Sequence, residues 1–140
     1  MAGREVFVDT SALYALIDRN DSRHSAARDV VAALINARRH LVTTDYVVTE
    51  TVNLANARRG ALVGLRILDL FEQSAGIRME WIGPDRFAAT KAFFRKYSDQ
   101  GFSFTDCSSF TIMRELRVTA ALTTDRHFKA AGFQVLMTLS

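Results

Sequence analysis

Short apolar runs alternate along the chain with longer segments in which apolar residues recur at the spacing of an α-helix. The short runs predict β-strands at 6–8, 41–43, 77–82, 119–122 and 133–137. The longer segments predict helices at 11–17, 22–39, 45–59, 61–75, 84–97, 104–117 and 126–131. Strands that alternate with helices form a mostly parallel sheet covered on both faces. The pattern therefore predicts an α/β fold with three layers.

The composition is that of one globular domain. A chain of 140 residues can bury one core, so we expect a single domain over 1–140. Hydrophobic residues make up 49% and charged residues 24%, which argues against disorder. The single cysteine, Cys107, fits a reducing compartment. No apolar stretch approaches the roughly 20 residues that cross a bilayer, and the first apolar run, broken by Asp9, is too short for a signal peptide. We therefore expect a soluble, cytoplasmic protein.

The net charge of +3 leans basic, and arginine, which suits phosphate contacts, supplies most of the positive charge. Many of the basic residues lie late in predicted helices, where cations also interact favourably with the helix dipole. Charge alone therefore leaves a nucleic-acid partner and an ordinary solvated surface equally open. The candidates for phosphate contacts are Arg38, Arg39, Arg58, Arg59, Arg95, Lys96, Arg114 and Arg117.

Acidic residues follow two of the predicted strands. Asp9 comes directly after the strand at 6–8, and Asp125 comes shortly after the strand at 119–122. In parallel α/β sheets, ligands bind beyond the carboxyl ends of the strands, so both acids occupy positions where chemistry is expected. Each also has a simpler alternative role, as the N-cap of the helix that follows it.

Two further acids lie in predicted helices. Glu50 shares a helix face with Tyr46, Asn53 and Ala57, although a helical glutamate taken alone is usually a surface residue. Asp106 lies near the start of its helix, where a carboxylate also interacts favourably with the dipole. Each signal is weak alone, and the case for a shared site rests on the combination.

Four segments carry that combination, in the order Phe7-Val8-Asp9-Thr10-Ser11-Ala12, Tyr46-Val47-Val48-Thr49-Glu50, Phe104-Thr105-Asp106-Cys107 and Thr123-Thr124-Asp125-Arg126-His127-Phe128. In order and spacing they resemble the PIN-domain nucleases, especially the VapC-type toxins of toxin–antitoxin pairs. The resemblance covers essentially the whole chain. It implies a PIN-like three-layer α/β/α sandwich with a mostly parallel central sheet.

The same resemblance implies a site and an activity. The core acids of the family correspond to Asp9, Glu50 and Asp106, its more variable fourth acid to Asp125, and an accompanying hydroxyl to Thr123. In that family such acids hold Mg²⁺ or Mn²⁺. The implied protein is a metal-dependent ribonuclease that cuts RNA phosphodiester bonds as the toxin of a type II pair, with a cognate antitoxin and a homodimeric state. A free-standing RNA-processing PIN nuclease and a catalytically silent PIN-like module that binds RNA or protein remain alternatives.

The chemistry of phosphodiester hydrolysis explains why acids would suffice. Mg²⁺ prefers oxygen ligands. When bound, it lowers the pKa of a coordinated water and stabilises negative charge on the phosphoryl oxygens. No serine or histidine nucleophile is then required. Without a metal ion, four carboxylates in one cleft would raise one another's pKa values.

Other polar residues are assigned simpler roles. Asp99 is predicted to be a turn residue, with contact to a metal ligand as the alternative. His24, His40 and His127 share no metal-ligand spacing and are predicted to be surface or packing residues. Cys107 has no evident catalytic partner, so packing in the core is its predicted role.

Competing enzyme classes lack their motifs. A phosphatase of the haloacid dehalogenase type needs a second aspartate two residues after Asp9, where this chain has Ser11. A response-regulator receiver needs an acidic pair near the first strand and a lysine after a late one, and neither is in place. Dinucleotide-binding and P-loop folds need glycines after the first strand, and the sequence Thr10-Ser11-Ala12 offers none.

Overall fold

The computed structural model describes residues 3–73 and 76–137, in which five strands form one parallel sheet. The strands are β1 (Glu5–Val8), β2 (His40–Thr44), β3 (Ile77–Glu80), β4 (Ala120–Leu122) and β5 (Gln134–Val135). The helices are α1 (Thr10–Ile17), α2 (His24–Asn36), α3 (Asp45–Arg59), α4 (Ala61–Gln73), α5 (Gly83–Lys96), α6 (Phe104–Leu116) and α7 (Arg126–Ala130), with a 3₁₀ turn at Ser98–Gln100.

The strand order is β3-β2-β1-β4-β5, with every pair parallel. The chain moves from β1 outward to β3, then returns past β1 to β4 and β5. Because such crossovers are right-handed, the two directions place their helices on opposite faces of the sheet. The helix contacts agree, since α1 packs on α2 and α3 while α5 packs on α6. The predicted three-layer α/β/α fold is confirmed, and its order reverses between β1 and β4, where ligands bind in folds of this kind.

An aromatic cluster fixes α7 above the end of the sheet. Phe7 in β1, Phe110 in α6 and Phe128 in α7 are all fully buried. The ring of Phe128 meets that of Phe110 edge-on at 4.9 Å and stacks on that of Phe7 at 6.3 Å. Burial of one such side chain stabilises the fold by about 1.5–3 kcal/mol. Since Phe128 anchors this short helix, the preceding residues have a defined position over β1 and β4.

Several element ends differ from the sequence prediction. α2 begins at His24 rather than residue 22, because the Asp21 side chain first closes a turn by accepting a hydrogen bond from the Arg23 N–H at 2.8 Å. It ends at Asn36 rather than residue 39, since Arg38 adopts a left-handed conformation with φ of 58°. The basic residues that were predicted to end this helix therefore follow it.

The strands β3 and β5 are shorter than predicted. β3 ends at Glu80 because the Ile82 N–H donates to Asp45 Oδ1 at 2.8 Å instead of continuing the sheet. β5 covers Gln134–Val135 alone. The predicted end of the helix at 61–75 lies outside the described residues. Cys107 is fully buried, which confirms its packing role. Within 3–73 and 76–137, no helix has the length and apolar character that spanning a bilayer requires.

Candidate active site

Asp9 lies at the carboxyl end of β1 with 5% of its surface exposed. It precedes α1, yet its side chain makes no capping hydrogen bond to that helix, so the capping alternative is wrong for this carboxylate. Its Oδ2 atom instead accepts a hydrogen bond of 2.8 Å from the Thr123 hydroxyl, which follows β4. The Asp9 carboxylate therefore faces across the point where the strand order reverses.

Thr123 joins the two strand ends through its hydroxyl group. Because the hydroxyl proton goes to Asp9, only lone pairs remain for its other contacts. It accepts a hydrogen bond from the Asp125 N–H at 2.9 Å, and Ser11 Oγ, 3.2 Å away, is then the donor of the contact between the two hydroxyls. Ser11 Oγ in turn accepts from the Thr124 N–H at 3.1 Å. This network fixes the Asp9 carboxylate relative to the backbone of Asp125.

Asp106 enters the same region as the third residue of α6. It forms a reciprocal capping box with Ser103: Asp106 Oδ2 accepts from the Ser103 N–H at 3.1 Å, and Ser103 Oγ accepts from the Asp106 N–H at 3.0 Å. Asp106 therefore stabilises the start of α6 as part of this capping box. The same Oδ2 atom lies 3.1 Å from His127 Nδ1, so Asp106 also belongs to a cluster formed with α7.

Asp125 and His127 complete that cluster. Asp125 caps α7, since its Oδ1 atom accepts from the His127 N–H at 2.9 Å, which confirms the capping alternative. His127 Nδ1 lies 3.4 Å from the same Oδ1 atom. One atom from each of Asp106, Asp125 and His127 falls within 4.8 Å of the others.

His127 was predicted to be an ordinary surface or packing histidine, and the structure corrects this. The spacing between histidines gave no sign of this role, because the partner of His127 is an aspartate on another helix, α6. The side chain of Phe102 meets the imidazole edge-on at 5.5 Å and holds it in place. The position of His127 two residues after Asp125 was the only signal in the sequence.

The buried carboxylates perturb one another. Burial raises the pKa of Asp9 to about 7; the Thr123 hydrogen bond opposes this rise, and the negative charges of Asp106 and Asp125 add to it. Burial also raises the pKa of Asp106, against the Ser103 hydrogen bond, and the charge of Asp125 contributes to the rise. Burial and mutual repulsion therefore both disfavour the charged forms of these carboxylates, and a bound cation would offset both effects.

Replacing Asp9 with Asn is expected to stabilise the metal-free protein, by an amount that grows with pH. The pKa of Asp9 rises on folding from 3.8 to about 7, so the folded state retains a proton that the unfolded state releases in this range. Stability is then lost as pH rises through that window, and Asn, which cannot ionise, avoids the loss. In EDTA, the melting temperature of Asp9→Asn should exceed that of the wild type by several degrees at about pH 8, and by less at about pH 5.

A matched control is Asp18→Asn. Asp18 is equally buried, but the Tyr14 hydroxyl, which donates to it at 2.6 Å, is the largest cause that holds the pKa of Asp18 below its ordinary value. Its replacement should therefore lower stability at neutral pH. If Asp9→Asn were also less stable than the wild type at about pH 8, burial would not be the dominant influence on Asp9.

The cluster fits a hard divalent cation. Carboxylates of Asp9, Asp106 and Asp125 supply the oxygen atoms that Mg²⁺ prefers. His127 Nδ1 is engaged with Asp106, so this histidine suits the role of orienting a ligand rather than that of a ligand itself. Beside Asp9, the buried Thr10 hydroxyl lacks a hydrogen-bond partner among residues 3–73 and 76–137, which leaves a polar atom available there.

Two of the predicted site residues lie apart from this cluster. Glu50 is an exposed residue of α3. It lines a neighbouring groove of about 460 Å³ with Asp45, Tyr46, Thr49, Asn53 and Thr105, the last of which precedes Asp106. Asp99 is exposed in the 3₁₀ turn, as its predicted turn role requires. The structure thus brings together Asp9, Asp106, Asp125 and Thr123, and leaves Glu50 in the neighbouring groove.

Comparison with known proteins agrees with this geometry. The PIN domain family model matches residues 6–134. The "23S rRNA-specific endonuclease VapC20" of Mycobacterium tuberculosis is 32% identical over 130 residues, which cover 91% of this chain and 95% of that protein. "Ribonuclease VapC26" of the same organism is 30% identical over 128 residues, covering 89% and 90%.

Solved structures show the same fold. The crystal structure of Mycobacterium tuberculosis VapC20, described as a sarcin–ricin loop cleaving toxin, matches with a TM-score of 0.82 and 29% identity, over 91% of this chain and 95% of that one. VapBC2 from Rickettsia felis, bound to a DNA fragment from its promoter, matches with a TM-score of 0.66 and 10% identity, over 94% and 97%. The family model and the curated relatives span nearly the whole chain, and on this evidence the protein belongs to the PIN-domain family as a VapC-like ribonuclease.

Proposed function

We propose that this chain is a Mg²⁺- or Mn²⁺-dependent endoribonuclease. The observation that carries the proposal is the convergence of Asp9, Asp106 and Asp125 where the strand order reverses. These side chains come from β1, α6 and the start of α7, so the fold alone brings them together. The experiment that tests it is an RNA cleavage assay with and without a divalent cation, beside an Asp9→Asn control.

In this reaction the residues of the site would have distinct roles in binding the cation and in orienting its ligands. Asp9 and Asp106 would hold the cation, and Asp125 would orient the groups around it. Thr123 fixes the Asp9 carboxylate by its hydrogen bond, and His127 fixes that of Asp106. Glu50 would act from the adjoining groove at the edge of the same cleft. A divalent cation, when bound, supplies the activated nucleophile and neutralises charge on the phosphoryl oxygens.

The substrate and partners follow by analogy. VapC20 is named for its action on 23S rRNA, and we propose the sarcin–ricin loop of that RNA as the first substrate to test for this chain. We also propose that the protein is the toxin of a type II pair, held inactive by a cognate antitoxin, and that it forms a homodimer. A small reading frame beside its gene that encodes a DNA-binding protein would support the toxin role over a free-standing processing nuclease.

Divalent metal is expected to raise the melting temperature of the protein. The cation would bind only the folded site, where it offsets the burial and the weaker charge repulsion that raise the pKa of Asp9, so stability should grow with the logarithm of metal concentration. Thermal melts in EDTA and in increasing Mg²⁺ would measure the gain. It should shrink in Asp106→Asn, and an undiminished gain in that variant would place the metal elsewhere.

A further inference from the structure

A groove of about 460 Å³ lies directly beside the acid cluster. It is lined by Gln100, Arg126, His127, Lys129 and Ala130, and so runs along α7 to the 3₁₀ turn. Its inner wall is His127, whose Nδ1 atom contacts both Asp106 and Asp125. A chain-like ligand with one unit at the acids would therefore have its next units in this groove.

The outer wall of the groove carries two unpaired cations. Arg126 and Lys129 are exposed, and neither side chain makes an ion pair or a hydrogen bond within the described part of the chain. They stand three residues apart on α7, so both project from one side of this short helix, about 5–6 Å apart at their Cβ atoms. Two arginines elsewhere in the chain, by contrast, already have acidic partners. Arg59 pairs with Asp18 at 3.1 Å, and Arg86 bonds to both Glu80 and Glu115.

The acid cluster and the basic α7 groove together suit a polyanion such as RNA. The acid cluster by itself repels a phosphodiester backbone, and cations beside it offset this repulsion. Arginine and lysine side chains that lack protein partners are free to bind phosphate oxygens without breaking an existing ion pair.

The groove also continues away from the acids. Gln100 and Ala130 line a second groove, of about 200 Å³, together with Tyr97, Phe102 and Arg114. The Arg114 guanidinium lies over the ring of Tyr97, 6.0 Å from its centroid. Aromatic and guanidinium surfaces are platforms on which bases of single-stranded RNA stack. Along this path, the groove with Arg126 and Lys129, which suits phosphates, leads to the groove with Tyr97 and Arg114, which suits bases.

We propose that the α7 groove holds the RNA strand next to the bond that is cut, with Arg126 and Lys129 binding consecutive phosphates. The proposal rests on the ribonuclease function proposed above and adds a direction to it: the strand leaves the acids past His127 and continues toward Tyr97. Neither Arg126 nor Lys129 was among the phosphate-binding candidates taken from the sequence, because only the fold places α7 beside Asp106.

The test compares RNA binding by the wild type and by the double variant Arg126→Gln and Lys129→Gln. A fluorescein-labelled single-stranded oligoribonucleotide serves as the probe, in EDTA so that it stays intact. Loss of two phosphate contacts should weaken binding about tenfold and make the slope of log Kd against log salt shallower by about 1.4. The charge-preserving exchange of Arg126→Lys with Lys129→Arg should retain most of the affinity.

The matched control removes two arginines from another groove. Arg28 and Arg66 are also exposed, and they line a groove with Leu16 and Ile17 on α1, away from α6 and α7. Their double change to Gln should leave the affinity and the salt slope near those of the wild type. Equal losses in the two double variants, or no loss in the α7 variant, would overturn the proposed path.

Cleavage by the same proteins separates this proposal from the function on which it rests. In Mg²⁺, the α7 variant should show its loss mainly in KM, with kcat much less affected. A wild-type protein that neither binds nor cuts RNA would contradict the ribonuclease function itself. Cleavage by the wild type with an unchanged KM in the α7 variant would contradict only the path along α7.

Discussion

Asp9→Asn and Asp106→Asn are each expected to reduce the rate of RNA cleavage by about a hundredfold or more. Asn keeps the shape of each side chain but removes one of the negative charges that would hold the cation. Both carboxylates are almost fully buried, with 5% and 8% of their residue surface exposed, so solvent cannot replace them easily. Single-turnover cleavage at saturating Mg²⁺ would measure the loss free of effects on product release.

Variants of three other acids should lose less activity than Asp9→Asn and Asp106→Asn, or none. Asp125→Asn should be milder, because the Asn oxygen can still accept the His127 N–H that caps α7. Glu50→Gln should also lower the rate, since Glu50 lines the groove that reaches Thr105 beside Asp106. Asp99→Asn, in the exposed 3₁₀ turn, should retain the wild-type rate.

The opposite order of cleavage rates among these variants would contradict the proposed roles of the acids. An inactive Asp125→Asn beside an Asp9→Asn of nearly wild-type rate would move the metal site away from β1. Because Asp9→Asn is expected to be more stable than the wild type without metal, its inactivity could not be attributed to unfolding. This combination of lost activity and raised stability is the signature of a carboxylate kept for function.

Removal of divalent metal is expected to abolish cleavage. The Cys107 thiol is not an alternative nucleophile, because it is fully buried and burial raises its pKa to about 11. We therefore expect the reaction to depend on a cation held by the acids. The measurement is cleavage of the labelled RNA in EDTA, then after addition of excess Mg²⁺ or Mn²⁺.

The return of cleavage when metal is added back also tests the site. Cleavage should return in proportion to free metal in the wild type, while Asp106→Asn should need a higher concentration or fail to recover. A ribonuclease activity that survives exhaustive chelation in the wild type, and persists in Asp9→Asn, would show that the acids are not the catalytic groups.

The local pattern of the sequence was enough to predict most of the fold. α3 has its predicted bounds, and Thr44 and Gly60 cap it as neighbours in the chain. The ends that differ were decided by distant contacts. β3 stops where the Ile82 N–H turns to Asp45, and no periodicity in the sequence records that hydrogen bond.

The candidate site divides in the same way. Asp9 and Asp125 follow predicted parallel strands, so the sequence implies that both lie at the same edge of the sheet. That β1 and β4 are neighbours, and bring the two acids together, was decided by the structure. His127 escaped prediction because its role depends on α6, whose Asp106 lies 21 residues away in the chain. Glu50 was grouped with the other acids by resemblance, whereas the structure places it in a neighbouring groove.

The sequence by itself determined the order of strands and helices, the positions of the acids at strand ends and helix starts, and the resemblance to the PIN-domain family. These depend on residues that are near one another in the chain, through side-chain periodicity and helix capping. Only the tertiary structure decided which acids are buried together, that Thr123 and His127 hold them, and that α7 lines a basic groove beside them. Burial and repulsion between charges depend on distances across the fold, which no local pattern contains.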